Sequence, residues 1–319
     1  MTPRTFRLPG ASDPSPRLLL AASTLAGLSV RQASRELGID CLEATTPDEP
    51  FDSLVERALA AHCRALHPGE CEPARQLALA LACRRGGLAF IGPPPALIEA
   101  MCDGQAMCQL MREAGLPLAS PGMAGEVVRV PVLADGGGRV RYLPARHAPR
   151  ADLVMAPVAG LTLERHAYLG RLAVQGVASI GLEGLVTLSF RVGDNRIGFM
   201  AMTPGLSGSE ALDEALTGLD PVVEQLRLGA GERLRARQPS LAPRGHALQW
   251  RLCLDPGAAF SGGPGLRLDR PPEAPDAARL LARGRQPEDA ARRARRALEE
   301  LLGASRARSL MTAVPRGWR

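Results

Sequence analysis

Apolar positions change their period near the middle of the chain. Up to residue 115, short apolar runs alternate with stretches whose apolar side chains recur every three to four residues; beyond Glu126 apolar and polar residues alternate. The first half predicts a strand at 18–20, a helix over 30–38 closed by Gly38, a strand at 39–44, helices over 51–66 and 73–85, a strand at 88–91, and helices over 94–101 and 105–114. Strands and helices of these lengths in alternation predict a Rossmann-like parallel α/β layer over 17–118.

The second half begins with VVRVPVLAD, Gly136-Gly137-Gly138 and RVRYLPAR, a hairpin with a glycine turn. A helix over 163–177 follows. Strands at 182–190 and 196–202 are joined by the Gly193-Asp194-Asn195 turn, and the helical period returns over 213–228. The polar, proline-bearing stretch 235–243 reads as a subdomain boundary. A strand at 247–254, a Gly/Pro-rich loop at 256–265, and helices over 276–283 and 287–302 complete the chain. The fold class is therefore α/β, turning to α+β in the second half. Residues 1–15, with proline and serine but no apolar run, are expected to be a disordered lead-in.

Composition narrows the chemistry. All 39 basic residues of the 319-residue chain are arginine, so lysine Schiff bases and phosphate-loop lysines are excluded. Aromatic residues make up 3%, too few for base-stacking platforms. Much of the net charge of +6 gathers at Arg292, Arg293, Arg295, Arg296, Arg306, Arg308, Arg316 and Arg319, interleaved with Glu288, Asp289, Glu299 and Glu300. That pattern reads as a solvated helix face, so a nucleic-acid partner is not expected. Cysteines at 41, 63, 71, 83, 102, 108 and 253 form no CxxC pair and read as buried reduced thiols of a cytoplasmic protein. Neither they nor His147 have zinc-ligand spacing, and no apolar run reaches membrane-spanning length. Gly136–Gly138, without a following helix or a lysine, is a turn and not a phosphate cradle, and GLSGSE at 205–210 misses the nucleophile-elbow register.

Six collinear segments carry a resemblance. They are PRLLLAASTLAGLSVRQASRELGID (16–40), ALHPGE (65–70), GLAFIGPPPALIEAMCDGQAMCQLMREAGLPLASPG (87–122), VPVLADGGGRVRYLPAR (130–146), TGLDPVVEQLRLGAGERL (217–234) and PRGHALQWRLCLDP (243–256). Together they resemble the biotin carboxylase family of ATP-grasp ligases. The resemblance implies an N-terminal domain over 16–118, an ATP-grasp domain over 119–234 and a C-terminal subdomain over 235–319.

It also implies a depleted active site. The family's first nucleotide lysine falls at Gly104, and Pro121-Gly122 runs into the strand at Glu126 without the lid subdomain that carries the second. The metal-binding carboxylates fall at Thr187, Ala201 and Thr203, although magnesium calls for carboxylate oxygens. The run that handles bicarbonate and the biotin proton becomes Gly205 to Glu210, without its arginine, glutamate and histidine. A glutamine, histidine and lysine beyond the hairpin are lost where Arg146–Arg150 passes directly to 154–157.

Three positions survive. Arg251 matches an arginine near the family's biotin and bicarbonate pocket; it is either an anion fork or a strand arginine paired with Asp255 or Glu224. His67 is either a turn residue of the nucleotide layer or a hydrogen-bonded structural histidine. Glu36 falls in a region that contributes homodimer contacts in the family, or on an ordinary amphipathic helix stopped by Gly38. These readings imply no catalytic residue, no metal site and no cofactor, although the family uses ATP, magnesium and biotin. The expected role is that of a pseudoenzyme working through protein–protein interaction, with partners among biotin carboxylase, biotin carrier or carboxyltransferase subunits of an acyl-CoA carboxylase. An arginine-based active ligase and a non-hydrolysing nucleotide or anion sensor are the alternatives.

Overall fold

A computed structural model describes residues 6–9, 15–22, 25–44, 49–194, 196–255 and 257–318. The N-terminal layer comprises β1 (Arg17–Leu20), α1 (Leu25–Glu36), β2 (Asp40–Glu43), α2 (Phe51–Ala60), β3 (Cys63–His67), α3 (Pro73–Gly86) and β4 (Ala89–Phe90). Its strands form a four-stranded parallel sheet in the order β2-β1-β3-β4. One side buries Leu19, Leu66, Leu54 and Leu79, and the other buries Leu18, Leu20, Val30 and Ala33.

Strand β3 corrects the expected helix over 51–66. The helix closes at Ala61, whose N–H bonds Arg57 O, and His62 takes a left-handed φ of 60°. Leu-Val-Glu-Arg-Ala-Leu-Ala runs on into Cys-Arg-Ala-Leu-His with no break in helical character, so pairing with β1 and β4 on both sides decides for strand.

Helices α4 (Pro95–Cys102) and α5 (Gly104–Glu113) follow, with Asp103 capping α5 by accepting the N–H groups of Gln105 and Ala106 at 2.9 and 3.2 Å. Residues 114–125 then lead to the next strand with no helix or strand of their own. The remaining elements are β5 (Glu126–Asp135), β6 (Val140–Tyr142), β7 (Arg146–Arg150), β8 (Leu153–Ala156), α6 (Leu163–Ser179), β9 (Glu183–Val192), β10 (Ile197–Pro204), α7 (Glu210–Thr217), α8 (Pro221–Gly229), β11 (His246–Cys253), β12 (Leu266–Asp269), β13 (Ala277–Gly284), α9 (Pro287–Leu302) and α10 (Ala304–Met311). They build one nine-stranded sheet, β10-β9-β5-β7-β8-β11-β13-β12, with β6 paired to β5.

The hairpin turn is as expected: the Asp135 carboxylate accepts the N–H groups of Gly137 and Arg139 at 3.0 and 2.9 Å. Two expected helices are corrected. In place of the helix expected over 276–283 stands β13, buried on both faces between β11 and β12, so no alternation marks it and its Ala/Leu/Arg content reads as helix. The helix over 213–228 is two helices, broken at Gly218 (φ 79°), with Asp220 accepting the Val222 N–H at 2.7 Å to start α8. In the lead-in, Phe6 is 3% exposed and packs with Leu18 and Leu20, which revises the expected disorder for 6–9; residues 1–5 and 10–14 lie outside the described residues, as does Asn195 of the β9–β10 turn.

The stretch after 234 does not separate the chain into independent bodies. Arg139 and Arg141 donate to the carbonyls of Leu234 and Ala236, Gln238 bonds Tyr142 on both backbone groups, and β8 pairs with β11 across the expected boundary. All seven cysteines are free, but of the seven expected to be buried only Cys63 and Cys83 are; Cys41, Cys71 and Cys108 are half-buried, and Cys102 and Cys253 are exposed. Among the described residues no helix is long and apolar enough to cross a membrane.

Gly170 decides how closely α6 lies on the sheet, because a Cβ there would overlap the Tyr142 ring. Helix propensity alone would make Gly170→Ala stabilising by about 1 kcal/mol. The overlap reverses the sign, and urea denaturation is expected to show a loss of about 1–3 kcal/mol.

Candidate functional site

A cleft of about 1070 Å³ opens where the carboxyl ends of the parallel strands meet the face of β5, β9 and β10. Strand register builds its floor. Arg129 lies opposite Ser189, Pro131 opposite Thr187, and Thr187 opposite Thr203. Alternation puts Thr187 and Ser189 on one face of β9, and both line the cleft with Thr203 and Arg129. Of the three positions expected at the metal site, Thr187 and Thr203 reach the cleft and Ala201 is not among its lining residues. Ser189 and Arg129 were missed. Period-two reading of GLVTLSF would have found Ser189, whereas Arg129 needed the β5–β9 register.

The loop 205–209 closes one side and is tied from several directions. Arg146 donates to Ser209 O at 2.9 Å and to Ser209 Oγ, Gln249 donates to Gly208 O at 2.7 Å, and Gln76 donates to Pro204 O at 3.0 Å. Ser207 donates to Glu210 Oε1 through both its N–H, at 2.6 Å, and its hydroxyl, at 2.8 Å. The Ser207 hydroxyl thus faces a carboxylate and another serine, Ser209, and not a histidine base.

Beneath the loop lies a buried ion pair. Arg146 of β7 and Asp213 of α7 meet at 2.5 Å, each side chain 2% exposed. Burial pushes Asp213 up to about 7 against the opposing pull of Arg146.

Arg251 lies at the mouth and pairs with Glu70, not with Asp255 or Glu224; Glu224 pairs with Arg227 at 2.9 Å. The same guanidinium donates to Ser207 O at 3.0 Å. Gly208 makes this possible, since a Cβ there would collide with both Arg251 and Glu70. Glu70 is one residue beyond the His-Pro-Gly turn, and its role was legible only once β3 and β11 were brought together.

His67 is fully buried at the end of β3. Its Nδ1 accepts the Gly69 N–H at 2.9 Å, so Nε2 carries the proton and donates to Gln225 Oε1 at 3.1 Å. Burial holds it neutral, with its pKa lowered to about 4. The histidine therefore holds the turn against α8 and does not face the cleft, of whose lining it forms none. Glu36 is exposed at the end of α1; the Asp220 carboxyl is raised chiefly by burial, with the Glu214 and Glu36 charges adding to it.

Comparison with known proteins places this arrangement. The model of the carbamoyl-phosphate synthase L chain ATP-binding domain matches residues 141–237, the stretch that carries β9, β10 and the tied loop. A pyruvate carboxylase subunit from Methanothermobacter thermautotrophicus is 26% identical, over 67% of this chain and 59% of its own length. The chloroplastic biotin carboxylase of Arabidopsis thaliana is 28% identical, over 67% of this chain and 54% of its own. The biotin carboxylase domain of a thermophilic 2-oxoglutarate carboxylase, solved with bicarbonate, superposes with a TM-score of 0.83 over 95% of both chains at 21% identity.

In sequence the chain is similar to biotin carboxylases, and it shares their ATP-grasp fold. It spans 59% and 54% of the length of the first two curated relatives. Within this biotin carboxylase fold a second groove of about 1080 Å³ lies under Leu163, Tyr168 and Arg171, and it holds none of the positions that carry the resemblance to the family's active site.

Two consequences can be measured. Because the folded pKa of His67 lies below its ordinary 6.5, the unfolded chain takes up the proton first and stability falls as pH drops from 6.5 towards 4. That loss amounts to about 3 kcal/mol. Asp213 works in the opposite sense, its contribution being lost as pH rises through about 7. The contrast between the native chain and His67→Gln isolates the histidine: their stability difference in urea melts should shrink across that acid window. Asp213→Asn leaves Arg146 buried without a counter-charge, and an unfolding free energy lower by about 3–5 kcal/mol is expected.

Proposed function

We propose that the chain is a non-catalytic biotin carboxylase-like protein, a pseudoenzyme that serves as a structural or regulatory partner in a biotin-dependent acyl-CoA carboxylase assembly. The observation that carries this reading is the strand face of the cleft, where Arg129, Thr187, Ser189 and Thr203 stand together. Hydroxyls and a guanidinium are a poor donor set for magnesium, which takes carboxylate oxygens and is repelled by a neighbouring cation. Those residues do not fit a metal-bound nucleotide, and no step through one is drawn.

Further support comes from 114–125, which joins α5 to β5 without a subdomain that could fold over phosphates and exclude water. Phosphoryl transfer depends almost entirely on positioning and charge neutralisation, and both supports are missing together. The one retained arginine, Arg251, is occupied by Glu70. Meanwhile the scaffold elements are intact, as a protein kept for its surfaces requires. The fold also occurs inside larger assemblies: a complete multifunctional pyruvate carboxylase from Rhizobium etli superposes with a TM-score of 0.79 over 90% of this chain and 37% of its own. Partners are accordingly expected among biotin carboxylase, biotin carrier and carboxyltransferase subunits.

Incubation with Mg-ATP, bicarbonate and free biotin should release ADP at the rate of the protein-free control, while affinity capture from native lysate should enrich a biotinylated carrier or another carboxylase component. Biotin-dependent ADP release, or recovery of the chain with no carboxylase component, would overturn the reading.

A further inference from the structure

The cleft holds a charge for which an assembly role has no use. Arg146 is neutralised by Asp213, Arg251 by Glu70, and Arg75 lies over the Phe51 ring at 5.1 Å. Arg129, by contrast, has no hydrogen-bond or ionic partner among the described residues. Its head is open to solvent on one side, while the cleft wall and the Arg146 guanidinium hold its pKa below the ordinary value.

The groups around it are donors. Ser189 lies directly across the strand pair, and Thr187 is the next residue on the same face of β9. Neither hydroxyl has a partner among the described residues, whereas the Thr203 hydroxyl makes only a long bond of 3.4 Å to Thr187 O. The rest of the lining includes an apolar stretch of four alanines and two leucines, Ala21, Ala22, Leu25, Ala44, Leu206 and Ala274.

Charge selects the valence of the ligand. Among the described residues three arginines, Arg75, Arg129 and Arg251, and two glutamates, Glu70 and Glu72, line the cleft, leaving one positive charge over. A dianionic phosphate would lie under-compensated near two carboxylates. Pro73 opens α3 and has no N–H to give it. A planar carboxylate instead matches the guanidinium fork.

From this juxtaposition we infer that the cleft binds an organic monocarboxylate, its carboxylate on Arg129 and the Thr187 and Ser189 hydroxyls and its apolar body against the alanine and leucine lining. The site uses a cation where metal-bound nucleotide chemistry needs anions. Ligand binding and partner capture are separate measurements, so either can fail while the other stands.

Isothermal titration calorimetry of the full chain with sodium hexanoate tests it, with hexanamide and inorganic phosphate as the uncharged and dianionic controls. Hexanoate should bind saturably, and both controls should bind at least about tenfold more weakly. Arg129→Gln should weaken hexanoate by about tenfold or more, with thermal melting to verify that the variant is folded. Ser189→Asp, which sets a carboxylate opposite Arg129 and fills the site from within, should abolish binding and keeps the test decisive if Arg129→Gln does not fold. No saturable hexanoate binding, unchanged affinity in either folded variant, or hexanamide or phosphate binding as tightly as hexanoate would overturn the inference.

Discussion

The buried contact between Arg146 and Asp213 is the constraint around which the cleft is organised. Two opposite charges with almost no solvent access survive only if each satisfies the other. That requirement fixes the start of α7 against β7, and with it the loop that precedes α7. Arg146 also holds Ser209 through both the carbonyl and the hydroxyl, so the loop hangs from the same guanidinium that neutralises the aspartate. Loss of the pair would free the loop, α7 and one wall of the cleft together.

The loop is in turn what gives the cleft its electrostatic character. Its Gly208 lets the Glu70 carboxylate and Arg251 close on each other at the mouth, and its Ser207 carbonyl takes a further donor hydrogen of Arg251. With Arg146 and Arg251 both compensated, Arg129 is left on a floor of hydroxyls without a counter-charge among the described residues. The floor inverts the donor set that magnesium takes, with hydroxyls and a guanidinium where carboxylates would be needed. The scaffold tolerates the inversion because the floor strands are held by backbone pairing, which is indifferent to side-chain charge.

Legibility followed the strength of local pattern. The strand RLLL, the capped helix after Asp103, the glycine hairpin at 136–138 and the long amphipathic α9 could be read because period, cap and turn chemistry agree there. The strands Cys63–His67 and Ala277–Gly284 could not. Both are interior strands with neighbours on each side, so their residues have no solvent face to impose alternation, and their alanine, leucine and arginine content favours helix locally. The break in the helix over 213–228 was signalled by Gly218 and Asp220-Pro221, but a continuous apolar stripe on either side masked it.

Residue identity and local period alone carried the likeness to biotin carboxylases, the alternating and then antiparallel layout and the absence of lysine chemistry, because each is written in motif positions and spacing. Only the tertiary structure decided which charges neutralise one another. Glu70 and Arg251 are far apart along the chain, as are Arg146 and Asp213, and the partner of an ion pair is set by which surfaces pack and not by what precedes it in sequence. The same packing turned His67 from a candidate ligand contact into a buried neutral turn residue, and it singled out Arg129 by leaving it the one arginine of the floor without a counter-charge among the described residues.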